Sequence, residues 1–253
     1  MLIDTHIHLD APEFACDRDQ VIDTALAAGV ACFVVPGVEA SGFAALRALA
    51  QAHDDVRLAF GIHPLYVGRA EASDLERVEA ELVSGETLAV GEIGLDGFVT
   101  EPDIALQERF YVAQLKLARR HDLPVILHVR RAVDLILKHL RRIQVCGGIA
   151  HAFNGSRQQA DALIALGFKL GFGGAMTFSG STRIRRLAAE LPLDSIVLET
   201  DAPDIPPAWA NGARNEPANL RRYVEVLADL RNMSLDEVAK ATTANARSVL
   251  RGL

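Results

Sequence analysis

Eight short, continuously apolar runs, each followed by an amphipathic segment, constrain this 253-residue chain more than any other feature. The runs are Leu2–His6, Ala31–Pro36, Arg57–Ile62, Leu88–Ile93, Pro124–His128, Gly147–His151, Phe168–Phe172 and Ser195–Thr200. Apolarity that is continuous rather than alternating marks strands covered on both faces, as in a parallel sheet. Between them lie Val21–Ala28, Gly42–Ala52, Leu75–Val83, Ala105–Arg120, Val133–Arg142, Arg157–Leu166 and Ile184–Leu191, with apolar residues at helical spacing. Gly29, Gly61, Gly167 and Pro192 punctuate the joins. Two more helices are expected over about Glu216–Leu230 and Ser234–Leu250, the second opened by a Ser234/Glu237 capping box. This alternation predicts an α/β fold, a (β/α)8 TIM barrel with extra C-terminal helices, in one domain spanning residues 1–253. An open doubly wound sheet is the alternative.

Half the residues are hydrophobic, enough for a large core, and the net charge is -7. An acidic chain does not coat nucleic acid through a broad basic face, although a local phosphate pocket of a few arginines is compatible with it. Cys16, Cys32 and Cys146 are odd in number and widely spaced, which excludes a disulfide framework and points to a reducing, cytoplasmic setting. Cys32 lies in an apolar run and is expected in the core. No signal peptide or membrane span is legible. No obligate protein partner is evident, and a monomer or weak oligomer is expected.

The ends of the runs carry the chemistry. The first ends in His6 and His8, and residues i and i+2 of a strand share a face, so the two imidazoles are expected side by side. Imidazole is the commonest ligand for zinc-like metals. The third run ends in Gly61-Ile62-His63-Pro64 and the fourth in Gly91-Glu92-Ile93-Gly94-Leu95-Asp96. The fifth ends in His128, followed by Arg130 and Arg131; the sixth ends in His151 and the eighth in Glu199-Thr200-Asp201. In such a barrel all of these fall at the C-terminal face, where catalysis occurs. Four histidines with two or three carboxylates exceed what one tetrahedral ion needs. Two divalent ions are therefore expected (Zn, Mn, Mg, Ni or Co), one held by His6, His8, Glu92 and Asp201, the other by Glu92, His128 and His151. Glu92 is the natural bridge because its strand lies between the two histidine groups. Paired ions activate water and stabilise attacking and leaving oxygens, which is the chemistry of hydrolysis and especially of phosphate esters.

Asp201 is expected to act as ligand and general base. Glu199 is expected either to orient the attacking water or to sit behind the ligands. His63, away from the ligands, and Arg130, on the face of His128, are expected to contact substrate phosphate. Arg131 reads as a helix-capping or surface cation, Asp4 as a carboxylate behind His6, and His53, His121 and His139 as surface groups. Trp209 reads as loop packing, with a base-stacking lid as the alternative.

The motifs Asp4-Thr5-His6-Ile7-His8-Leu9-Asp10, Gly61-Ile62-His63-Pro64, Gly91-Glu92-Ile93-Gly94-Leu95-Asp96, Leu123-Pro124-Val125-Ile126-Leu127-His128, Leu198-Glu199-Thr200-Asp201-Ala202-Pro203 and Arg214-Asn215-Glu216-Pro217 occur in order. Together they resemble the TatD family of metal-dependent deoxyribonucleases, in its YjjV-like branch, within the amidohydrolase-like barrels. The resemblance implies the same ligands, with Glu92 shared, and 3′-5′ exonuclease action on DNA or nucleotide phosphodiesters. Two places depart from it. In His151-Ala152-Phe153-Asn154-Gly155 the family often has Gly and Ser or Thr at the second and fourth positions, and segment 97–103 is short and not diagnostic. The competing readings are a two-metal hydrolase of a small amide, lactone or aminoacyl ester, a ligand-binding barrel without catalysis, and a one-metal deaminase. Cyclic-amide hydrolases and phosphotriesterases bridge their metals with a carboxylated lysine, whereas Lys116, Lys138, Lys169 and Lys240 all lie away from these strand ends.

Overall fold

A computed structural model describes residues 1–99 and 103–253. Residues 100–102, within the undiagnostic segment 97–103, are outside the described residues. Eight parallel strands follow one another in sequence order: β1 (Leu2–Asp4), β2 (Val30–Pro36), β3 (Val56–Phe60), β4 (Thr87–Asp96), β5 (Val125–Arg130), β6 (Gly148–Ala150), β7 (Phe168–Phe172) and β8 (Ile196–Leu198). The order never reverses, which rules out the open doubly wound alternative. The ring closes where Thr5 N–H donates to the Leu198 carbonyl (3.2 Å) and Asp201 N–H to the His6 carbonyl (2.8 Å). Outside run α1 (Arg18–Ala27), α2 (Phe43–Ala52), α3 (Ala72–Val83), α4 (Ile104–Arg120), α5 (Val133–Arg142), α6 (Arg157–Ala165) and α7 (Thr182–Glu190). The chain ends with α8 (Leu220–Arg231) and α9 (Leu235–Val249), the latter opened by the expected Ser234/Glu237 capping box. The (β/α)8 barrel with extra C-terminal helices is thus the fold. Among the described residues no helix is long and apolar enough to cross a membrane.

Strand alternation sorts the core in two. Phe33, Val35, Leu58, Phe60, Val125, Leu127, Ile196 and Leu198 face outward into the large core beneath the helices. Ile3, Val34, Ala59, Ile126, Ile149 and Val197 point inward and meet Ala246 of α9 and Leu250 just beyond it. That helix plugs the N-terminal mouth. It is held there by Asn245 Nδ2, which donates to the carbonyls of Leu193 and Ile196 (both 2.7 Å), and by Thr243 Oγ1, which donates to the Met1 carbonyl (3.0 Å). Only the C-terminal mouth is left for a site.

One irregularity decides which face Glu92 occupies. Val90 pairs with Val125, but the next pair is Ile93 with Leu127, so β4 spends three steps where β5 spends two. With Ala89 inward, strict alternation would turn Glu92 outward. The extra residue, a β-bulge, turns Glu92, Gly94 and Asp96 inward and sends Ile93 and Leu95 to the outer core. Gly94 sits at φ 149°, and a Cβ there would lie 2.0 Å from the His128 carbonyl oxygen, so only glycine lets β4 and β5 approach as they do.

The strands β1, β6 and β8 are shorter than expected, which leaves His6, His8, His151, Glu199 and Asp201 just beyond their ends. Helix α8 begins at Leu220 rather than near 216, because Pro217–Asn219 forms a tighter turn first. Asn215, wholly buried, anchors this region. Its Nδ2 donates to the carbonyls of Thr200 (2.7 Å) and Asp204 (3.0 Å). Its Oδ1 accepts from Glu216 N–H (2.9 Å), Asn219 Nδ2 (3.0 Å) and the Tyr223 hydroxyl (3.0 Å). Asn215→Ala should orphan several buried groups at about 1–3 kcal/mol each. Thermal unfolding should show Tm lowered by roughly 4–15 °C, at about 2–4 °C per kcal/mol; an unchanged Tm would contradict this anchoring.

Candidate metal centre

The centre is built around one buried carboxylate. Glu92 is 1% exposed, and its two oxygens face different histidines. Oε2 lies 3.2 Å from His6 Nε2 and 3.6 Å from His8 Nε2. Oε1 lies 2.8 Å from His151 Nε2, 2.9 Å from His128 Nδ1 and 3.4 Å from His63 Nε2. On the Oε2 side, Asp201 Oδ1 completes a cluster at 3.4 Å from His6 Nε2 and 3.6 Å from His8 Nε2. Three groups have ligand atoms close enough to share an ion: His6, His8 and Asp201; His6, Glu92 and His151; and His63, Glu92 and His128.

His6 and His8 meet, Nε2 to Nε2, at 3.3 Å, but not through strand alternation. With β1 ending at Asp4, their segment is held from both sides: Ile7 N–H donates to the Val34 carbonyl (3.1 Å) and His8 N–H to that of Ala202 (2.8 Å). Asp4 lies behind His6, as expected. It accepts from Thr200 N–H (2.9 Å) and Thr200 Oγ1 (2.6 Å), tying β1 to the segment after β8.

Other placements partly follow and partly depart from the sequence reading. His63 is not away from the ligands; it packs edge-on against His128 with ring centroids 4.4 Å apart and joins the cluster around Glu92 Oε1. Glu199 does not border the cleft and takes the second of its two expected places, behind the ligands. Its Oε1 accepts from Ala152 N–H (2.5 Å) behind His151. Arg130 is exposed at the cleft rim, its guanidinium 3.8 Å from the centre of the Phe98 ring. Arg131 stacks on the same ring at 4.5 Å. Trp209 packs in its loop, donating from Nε1 to Asn219 Oδ1 (2.9 Å) beneath the Arg222 guanidinium. His53 and His121 are half-buried, whereas His139 is buried between α4 and α5 with Nε2 2.5 Å from Glu108 Oε1, so it is not a surface group. Cys32 is half-buried at the edge of the inner core.

Asp96 is the site residue that sequence reasoning passed over. Its Oδ2 lies 2.9 Å from His128 Nε2, which directs the opposite nitrogen, Nδ1, at Glu92. The signal was present: Glu92, Gly94 and Asp96 alternate, so the two carboxylates had to share a face.

The electrostatics match a centre made for cations. Burial pushes the Asp4 carboxyl up to about 7 and Glu199 up to about 8, and it raises Asp201 as well. Burial opposes ionisation of Glu92 too, but His151, His63 and His6 outweigh it and hold its carboxyl well below the usual range. Burial likewise disfavours a charged His151, yet Glu92, Asp201 and Glu199 together lift it to about 10. Burial lowers His6 and His63. Among the described residues no lysine or arginine pairs with Glu92 or Asp201, so this buried negative charge has only imidazoles as counterparts. Nitrogen and carboxylate donors converging without a fixed cation fit divalent metal ions. The centre opens into a cleft of about 1690 Å³ at the C-terminal mouth.

The sequence matches the family described as TatD related DNase over residues 3–251. It is 41% identical over 246 residues to YjjV of Escherichia coli (strain K12), described as an uncharacterized metal-dependent hydrolase, covering 96% of this chain and 95% of the relative. It is 31% identical over 260 residues to the 3′-5′ ssDNA/RNA exonuclease TatD of Yersinia pseudotuberculosis serotype O:3 (strain YPIII), covering 99% of each. The crystal structure of YjjV from Escherichia coli K12 superposes with a TM-score of 0.96 at 40% identity, over 100% of this chain and 98% of that one. The chain belongs to the TatD-related DNase family, a family of metal-dependent hydrolases.

Proposed function

We propose that this hydrolase is a two-metal phosphodiesterase that shortens nucleic acid from the 3′ end. The observation that carries the reading is Glu92, whose two oxygens each face a separate set of histidines. His6, His8 and Asp201 would hold one divalent ion, His128 and His151 the other, with Glu92 shared between them. Bound there, the two ions would supply the Lewis acidity that activates water and offsets charge on attacking and leaving oxygens. Asp201, which borders the cleft, would take the water's proton. His63 and Arg130 border the same cleft and would contact substrate phosphate, the guanidinium through paired N–H donors.

The cleft favours a strand end over a small amide or lactone. As lined by the described residues it encloses about 1690 Å³. Pockets for small ligands span roughly 300–1,000 Å³. A relative 31% identical over nearly its whole length is described as a 3′-5′ ssDNA/RNA exonuclease, which supports the same chemistry here.

End-labelled single-stranded DNA with manganese, magnesium, zinc or cobalt tests this directly. Stepwise shortening from the 3′ end, stopped by a chelator, is expected. No cleavage by metal-loaded protein would shift the assignment to a small amide, lactone or aminoacyl ester. Glu92→Ala should abolish activity and lower bound metal; a fully active variant would contradict the shared carboxylate. Asp201→Asn should reduce kcat by roughly 10²–10⁴-fold, the range for loss of general-base catalysis, with folding intact. Arg130→Ala should raise KM for DNA about 3–10-fold, as expected for losing about 1 kcal/mol of phosphate binding. An unchanged KM would remove Arg130 from the substrate site.

A further inference from the structure

Among the described residues, buried atoms at the back of the centre without hydrogen-bond partners include His6 Nδ1, His151 Nδ1 and Glu199 Oε2. The last two belong to one pair of facing side chains. His151 turns Nε2 to Glu92 Oε1 at 2.8 Å, and its other nitrogen, Nδ1, lies 3.9 Å from Glu199 Oε1. Glu199 is 1% exposed and fixed by the Ala152 N–H. Its slot is cut by a missing side chain: a Cβ on Gly171 of β7 would lie 2.0 Å from Glu199 Oε2. A buried carboxyl is costly without hydrogen-bond partners, and among the described residues the imidazole nitrogen that faces it is Nδ1 of His151.

We propose that Glu199 is a positioning residue: it accepts a hydrogen bond from His151 Nδ1–H and thereby leaves Nε2 with its lone pair aimed at the ion shared with Glu92. This deepens the two-metal reading and rests on it. A ring movement of about 1 Å brings the pair to ordinary hydrogen-bond length. The neighbouring histidine is built the same way, with Asp96 Oδ2 2.9 Å from His128 Nε2 and the opposite nitrogen on Glu92. His128 and His151, the two histidines nearest Glu92 Oε1, would then each have a carboxylate behind them, the arrangement that orients metal-binding imidazoles, whereas His63 Nδ1 accepts from Leu65 N–H instead. Glu199 would act through His151 and touch neither substrate nor water.

The test is zinc binding, read by competition with a chromophoric chelator, on the wild type, Glu199→Ala, Glu199→Gln and Gly171→Ala. The wild type should take up two ions. Glu199→Ala should keep the first and bind the second about 10–100-fold more weakly, the usual cost of losing such a partner. Gly171→Ala should reproduce that loss by displacing the carboxylate without removing it. Glu199→Gln, which keeps a carbonyl acceptor, should recover most of the affinity. In zinc-loaded wild type, ¹⁵N NMR should show the His151 proton on Nδ1. Second-ion affinity unchanged in both alanine variants would overturn the proposal, as would a proton on Nε2; the NMR result stands even if a variant fails to fold. A wild type that binds one ion would count against the two-metal reading itself, while the His151 tautomer would still decide the role of Glu199.

Discussion

Everything at the mouth of this barrel depends on burying the Glu92 carboxylate between two groups of histidines. An ionised carboxylate inside a protein is strongly disfavoured unless opposite charge or hydrogen-bond donors compensate it. Here the compensation is shared. Each oxygen faces its own imidazoles, and Asp201, which shares His6 and His8 with Oε2, adds negative charge instead of relieving it. Such a cluster is stable only with protons or cations among its members, which turns an electrostatic liability into a binding site for divalent ions.

The rest of the fold serves to place that carboxylate. Ala246 of α9 and Leu250 just after it fill one end of the barrel, so on several strands the inward side chains pass from apolar to polar. Ile126 gives way to His128, Ile149 to His151 and Val197 to Glu199. Behind these residues lie groups that never reach the cleft: Asp4 braces the segment after β8, Asp96 backs His128, and Asn215 fastens the chain that follows Asp201. The chain is acidic overall, with a few arginines at the rim, a balance that under the proposed function would suit one strand end rather than a long duplex.

Much of this was legible in the sequence, for physical reasons. Strands covered on both faces must be continuously apolar, so all eight runs could be read. A barrel concentrates its chemistry at one end, so a histidine or carboxylate at the end of a run marks the site. What could not be read was local backbone geometry. The extra residue in β4 leaves no mark in the apolar pattern, although it decides that Glu92 faces inward. The early end of β1 made strand alternation the wrong reason for the His6–His8 pairing. His63 was misplaced because a residue three beyond the end of β3 is positioned by its loop, not by the strand. His139 reads as a surface histidine on its own helix, but α4 covers it and supplies Glu108.

The most direct test of the central claim is anomalous diffraction from crystals grown with manganese or zinc, with data collected on each side of the metal edge. Two peaks, one beside each oxygen of Glu92, are predicted: one contacted by His6, His8 and Asp201, the other by His128 and His151. A single peak, or two peaks with Glu92 bound to neither, would contradict the account.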